Sequence, residues 1–193
     1  MANIDKAFGL RPQGNLSATG GQKQFSYEIA DNQAGAIFQG DLVTVYDGFL
    51  VQFDPATHTA AVGVFNGCNY VDPTTGKPTF SNFYPGSVNI TQGVISAEVL
   101  DDPNQLFTIQ ADEDIVQADI GKNADVVVGT GNTTTGVSAM ELDSSTVANT
   151  AALNLKIVGF YPLPGNETGT NAVVVVKINE HLYGSAGVAG QGA

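Results

Sequence analysis

Apolar and polar residues alternate along short stretches of this chain, and glycine, proline and asparagine separate the stretches. A period of two predicts strands rather than helices. FSYEIA places Phe25, Tyr27 and Ile29 on one face of a strand. Residues 41–53, DLVTVYDGFLVQF, hold two β-rich runs that meet at Asp47-Gly48. That pair tolerates the positive φ angles of a type I′ turn, so a hairpin is predicted there. AAVGVF (60–65) reads as the next strand, and Asp72 to Pro78 as a turn built on proline and glycine. SVNITQ (87–92), ISAEVL (95–100), LFTIQA (106–111), DVVVGT (125–130) and VSAMEL (137–142) follow as short strands. Residues 112–121 and 144–152 are short helical candidates, and the last strands are LNLKIVGFY (153–161) and NAVVVVKINEHLY (171–183). The unbroken run Val173 to Val176 predicts a strand covered on both faces, or one covered by a partner chain.

So many short strands at this spacing predict an all-β fold, with a single β-barrel or β-sandwich body over residues 25–183. Residues 1–24 show neither period and carry Gly9, Pro12, Gly14, Gly20 and Gly21. They predict an extended N-terminal arm, ordered when it binds something, because Ile4, Phe8 and Leu10 would be wasted in solvent. Residues 184–193, GSAGVAGQGA, predict a flexible Gly/Ala tail.

Composition sharpens this picture. Charged residues make up 13% of the 193, about half the usual share, so the surface must be largely neutral and polar. Such surfaces suit proteins that work packed against neighbours, since few charges have to be desolvated. A net charge of −12 argues against wrapping nucleic acid or lying on an anionic membrane. The sign is uneven. Residues 1–27 hold Lys6, Arg11 and Lys23 against Asp5, a net +2, while the remainder holds 4 basic and 18 acidic residues, a net −14. Cys68 is the only cysteine and reads as a small buried hydrophobe. No apolar run approaches a membrane span, and the N-terminus lacks the basic and apolar segments of a secretory signal, so synthesis and use without Sec export are expected.

Catalytic signals are weak. The two histidines, His58 and His181, lie in a turn-like PATHT segment and in the last strand, and no G-x-S-x-G elbow is present. No enzymatic activity and no cofactor are expected, and one cysteine with two separated histidines gives no zinc spacing. Asp101-Asp102 and Asp112-Glu113-Asp114 with Asp119 offer hard oxygen ligands that would suit calcium, but they do not form a D-x-D-x-D-G loop. A solvated acidic face is the plainer explanation. GTGNTTTG (129–136) lacks the lysine of a phosphate loop and reads as a flexible surface loop. Phe80, Phe83 and Tyr84 read as core packing ahead of a stacking platform for glycans.

Three strings carry a resemblance: ANIDKAFGLRPQG at the start, VGVFNGCNYVDPTTGKPTFSNFYPG in the middle and VVVVKINEHLYG near the end. They resemble small structural proteins of tailed bacteriophages, especially those of aquatic bacteria and cyanobacteria, that serve as capsid decoration or cement proteins. The resemblance implies a homotrimer seated at capsomer junctions on the outer surface of the expanded head, made in the host cytoplasm, with the major capsid protein as partner. On that footing Ile4, Lys6, Phe8, Leu10 and Arg11 become the expected capsid contacts, the two cations pairing with carboxylates and the apolar three filling pockets. The alternative is a binding module displayed on the virion for host glycans or fibre-type attachment, which would show a solvent-facing aromatic or acidic pocket.

Overall fold

The computed structural model describes residues 3–17 and 22–184. Its strands in chain order are β1 (Arg11–Asn15), β2 (Gln24–Ile29), β3 (Leu42–Tyr46), β4 (Phe49–Gln52), β5 (Gly63–Val71), β6 (Pro78–Ser81), β7 (Ile95–Leu100) and β8 (Gln105–Gln110). They continue with β9 (Asp114–Ile115), β10 (Asn123–Ala124), β11 (Val126–Val127), β12 (Glu141–Leu142), β13 (Leu155–Phe160), β14 (Gly169–Thr170) and β15 (Val173–Ile178). The fold is all-β, as the alternation predicts. Among the described residues the helical candidates shrink to single 3₁₀ turns at Gln117–Asp119 and Ser144–Thr146. Each is too short to bury a helical face, so strands alone make the core.

Two antiparallel sheets dominate. A five-stranded sheet runs in the order β1-β8-β15-β13-β10, and a six-stranded sheet runs β2-β7-β5-β3-β4 with β6 paired to β5. The six-stranded sheet curls until its edge strands β2 and β4 lie in contact, but no ladder joins them and no closed barrel forms. Its concave face wraps a core of its own, including Ile29, Val43, Leu50, Phe65, Val99 and the fully buried Tyr84. On the other face Leu42, Val64 and Leu100 stand side by side in register on β3, β5 and β7. They meet Phe107, Ile109, Leu155, Ile157, Val174 and Val176 of the five-stranded sheet in a second core. Period-two patterning on both sheets therefore fills two layers of apolar side chains.

The predicted hairpin is present, with Asp47 at φ 49° and Gly48 at φ 86°, the two positive angles of a type I′ turn. β15 excludes one of its two expected forms. Val174, Val176 and Ile178 enter the core while Val173 and Val175 are half-buried on the opposite face, so the valine run is an alternating central strand and not one covered on both sides. SVNITQ forms no strand, because Ser87 turns at φ 53° and Ile90 is held by its N–H to the Asp31 carboxylate. DVVVGT and VSAMEL keep only a two-residue strand each. β1 and β6 were not foreseen. Both contain proline and lie at sheet edges, where a missing N–H is harmless. Apart from Gly184, the tail expected over 184–193 lies outside the described residues.

Gly63 on β5 shows how closely the neighbouring strand β7 of the same sheet approaches. A Cβ there would collide with the carbonyl oxygen of Leu100 and a methyl of Val99. Gly14 on β1, by contrast, faces open space. Gly63→Ala is expected to lower stability by about 1–3 kcal/mol in urea titration, whereas Gly14→Ala should stay within about 0.5 kcal/mol.

Candidate interaction surface

The N-terminal residues, expected as an arm ordered only on binding, are laid along the body as a strap. Asn3 ties down its start: the side-chain amide donates to the carbonyls of Glu167 and Thr170, both at 2.9 Å, and its Oδ1 accepts the Glu167 N–H at 3.0 Å. Gln110, the last residue of β8, holds the next turn of chain. Its Oε1 accepts the Lys6 N–H at 2.8 Å and its Nε2 donates to the Ile4 carbonyl at 2.8 Å. The Gly9 and Leu10 N–H groups then donate to Met140 and Gly40. Gly9 sits at φ 69°, pressed so close to Ser138 and the Gly40 carbonyl that any side chain would clash. β1 completes the strap by pairing with β8 at the sheet edge, with an irregularity between Pro12 and Gly14.

This path sorts the expected contact residues. Leu10 is 1% exposed and belongs to the core shared by the two sheets, so its side chain is used within its own chain. Phe8 is half-buried beneath Arg11, whose guanidinium stacks 4.5 Å from the ring centroid. Ile4 is 80% exposed, and Lys6 and Arg11 are exposed with no ion-pair partner among the described residues. Three of the five thus point outward on a backbone fixed by hydrogen bonds. The residues that fix it, Asn3 and Gln110, carry neither charge nor periodicity, and no sequence signal marked them.

Beside Ile4 lies an open hollow of about 310 Å³ whose rim includes Leu163, Pro164, Asn166 and Val173. Leu163 is 49% exposed. The Asn166 amide donates to the carbonyls of Tyr161 and Val173 and its Oδ1 accepts the Val173 N–H, which makes the loop a rigid wall. A separate groove of about 330 Å³ runs between Tyr70, Phe80 and Val94. Phe80 is 62% exposed and covers Gly67, at the irregularity of β5. Of its expected cluster mates, Tyr84 is buried and Phe83 stacks on Phe38 with centroids 5.6 Å apart, so those two pack inward.

The remaining sequence candidates are absorbed locally. Asp102 caps Asn104, accepts from Asn15 and lies 3.9 Å from Lys23, and these contacts hold its carboxyl below the usual range despite partial burial. Asp119 caps the turn at Val116 and pairs with Lys122. Among the described residues no group of three or more His, Cys, Asp or Glu side chains could hold a metal. Burial pushes the Cys68 thiol up to about 12, leaving it protonated. Burial also raises Asp41, which is fully enclosed and accepts from Phe38 and Gln52. Glu141 is raised by burial and by the nearby carboxylates of Asp5 and Asp112. The glycines of 129–136 serve close packing: a side chain at Gly131 would enter the Phe38 ring, and one at Gly129 would meet Ala139.

Both histidines sit in local frames. His58 Nδ1 accepts the Asp54 N–H at 3.1 Å, and His181 Nδ1 accepts the Tyr183 N–H at 3.1 Å. No helix among the described residues is long and apolar enough to cross a membrane. No family model matches the chain, no curated protein matches it, and no solved structure matches it.

His181 supplies a pH prediction. Its burial depresses the imidazole below the ordinary value, with Asp101 opposing. As pH falls, the unfolded chain takes up this proton first, near about 6.5, so the contribution of neutral His181 is complete above that pH and declines below it. Melting curves from pH 7 down to 5 should show a loss of stability that is smaller in His181→Gln.

Proposed function

We propose that this chain is a viral structural protein that binds the outer surface of a phage capsid at capsomer junctions as a homotrimer and stabilises the expanded head. The observation that carries the reading is the strap: Ile4, Lys6 and Arg11 face outward from a backbone already tied to the body. The three strings that resemble phage decoration proteins include this segment. A surface of few charges with a basic strap on an acidic body suits attachment to a protein lattice and repels packaged DNA. A fixed strap also loses less entropy on docking than a free arm would.

The mechanism is linkage. A protein that binds only the expanded lattice shifts the equilibrium toward that lattice by mass action. Several straps on one oligomer add through effective concentration, so each contact can be weak. The alternative, a virion-displayed module for host glycans, draws on exposed Phe80 beside its open groove.

Removing the N-terminal segment would also remove Leu10 and β1, so charge reversal is the cleaner test. Co-sedimentation with expanded empty heads of the phage that encodes the chain should show salt-sensitive binding, weakened about tenfold or more in Lys6→Glu/Arg11→Glu. Wild-type protein that ignores expanded heads would sink the capsid reading, and glycan binding lost in Phe80→Ala would replace it.

A further inference from the structure

Between the strap and the six-stranded sheet lies a cavity of about 290 Å³, more enclosed than the hollow beside Ile4 or the groove at Phe80. Its floor is apolar: Leu10, Val64, Phe65 and Leu100 line it, and each is at most 4% exposed. Half-buried Val137 lines it as well, and Phe8 and Arg11 border it from the strap. The space is left open because Leu10 enters the core while Phe8 and Arg11, on either side of it in sequence, stay outside.

The two amides that line the cavity are spent on a chain of side-chain hydrogen bonds. Gln39 donates to the Asn66 side-chain oxygen at 3.0 Å, Asn66 donates to Gln24 at 3.1 Å, and Gln24 donates to Glu98 at 3.0 Å. Arg11 stands apart. It is the only charged residue that lines the cavity, and it has no ion-pair partner among the described residues. The Phe8 ring, 4.5 Å away, fixes where the cation sits and leaves the edge of the guanidinium free to donate.

An apolar floor beneath one uncompensated cation selects an occupant that is apolar and carries a negative charge. Size narrows the choice. Small-molecule sites run from about 300 to 1,000 Å³, so this cavity suits a single side chain better than a cofactor. On a protein the matching anion is a carboxylate. We propose that the cavity receives one aliphatic or aromatic side chain from a segment of the capsid protein, whose adjacent carboxylate pairs with Arg11. The inference rests on the capsid reading and names the chemistry that Arg11 meets there. The Gly9 and Leu10 N–H groups already hold the strap on Met140 and Gly40, so the cavity needs no ordering when the partner docks. One anchor in a formed pocket is enough to carry much of an interface's affinity.

Amide NMR of the isolated full-length chain, titrated with 3-phenylpropionate as the probe, tests the cavity without the capsid. The acid should shift Val64, Asn66, Leu100 and Val137, and the neutral 3-phenylpropanamide should bind there about fivefold more weakly. Arg11→Gln should erase that preference. Val137→Phe, which fills the cavity, should abolish binding of both probes and weaken co-sedimentation with expanded empty heads about tenfold or more. Arg11 is exposed, so Arg11→Gln still decides the matter where melting curves show Val137→Phe to be misfolded. No shifts on titration, shifts at Tyr70 and Phe80 instead, or equal affinity for the two probes overturns the proposal. Loss of self-association in Val137→Phe would give the cavity to a second copy and overturn it as well. Failure of each claim is distinguishable. Heads that bind wild type and Val137→Phe equally remove the cavity from the contact and keep the capsid role. Probe binding by a wild type that ignores heads removes the capsid role and keeps the selectivity for an apolar acid.

Discussion

Leu10 fills the core between the two sheets, and the arrangement of the outer surface follows from that insertion. Burying a leucine contributes about 1.5–3 kcal/mol, enough to bias a short segment but not to order one alone. The remainder comes from neighbours in sequence: Gly9 allows the close approach to Gly40 and Ser138, and β1 adds a ladder along β8. Once Leu10 is seated, the path of residues 3–9 is restricted to a groove edge where Gln110 and Asn3 complete its hydrogen bonds. Ile4, Lys6 and Arg11 are exposed because the backbone between them is committed.

The body supports this by being stiff where the strap crosses it. The six-stranded sheet curls around its own core and still offers Leu42, Val64 and Leu100 to the second core, so the two layers cannot shift independently. Glycines enforce the spacing. Gly63 lets β5 approach the Leu100 carbonyl, and Gly131 leaves room for the Phe38 ring. Close packing of this kind resists small displacements, so a surface built on it keeps its shape when a partner arrives. Polar side chains within the body are largely spent on such positioning: Asp102 and Asp119 hold turns, and Asn166 holds the wall of the hollow.

Period-two alternation made the all-β class and the Asp47-Gly48 hairpin legible, because both depend on local chemistry. Leu10 was legible only as an apolar residue in search of a partner. Whether that partner is the chain's own core or another protein depends on residues such as Met140 and Gly40, far away in sequence, and alternation carries no such information. The Val173–Val176 run was legible only in part: the sequence shows four apolar side chains, and only the sheet decides that Val174 and Val176 enter the core while Val173 lines the hollow. Asn3, Gln110 and Asn166 were invisible, since a neutral amide looks the same in a solvated loop as in a clamp.

Amide hydrogen exchange at Leu10 in the isolated full-length chain tests the central claim most directly. The N–H donates to the Gly40 carbonyl beside a core side chain, so it should exchange as slowly as the β15 amides, through global unfolding. Exchange at the rate of an unprotected peptide, with β15 still slow, would mean that the segment is a free arm and that the surface described here forms only on binding.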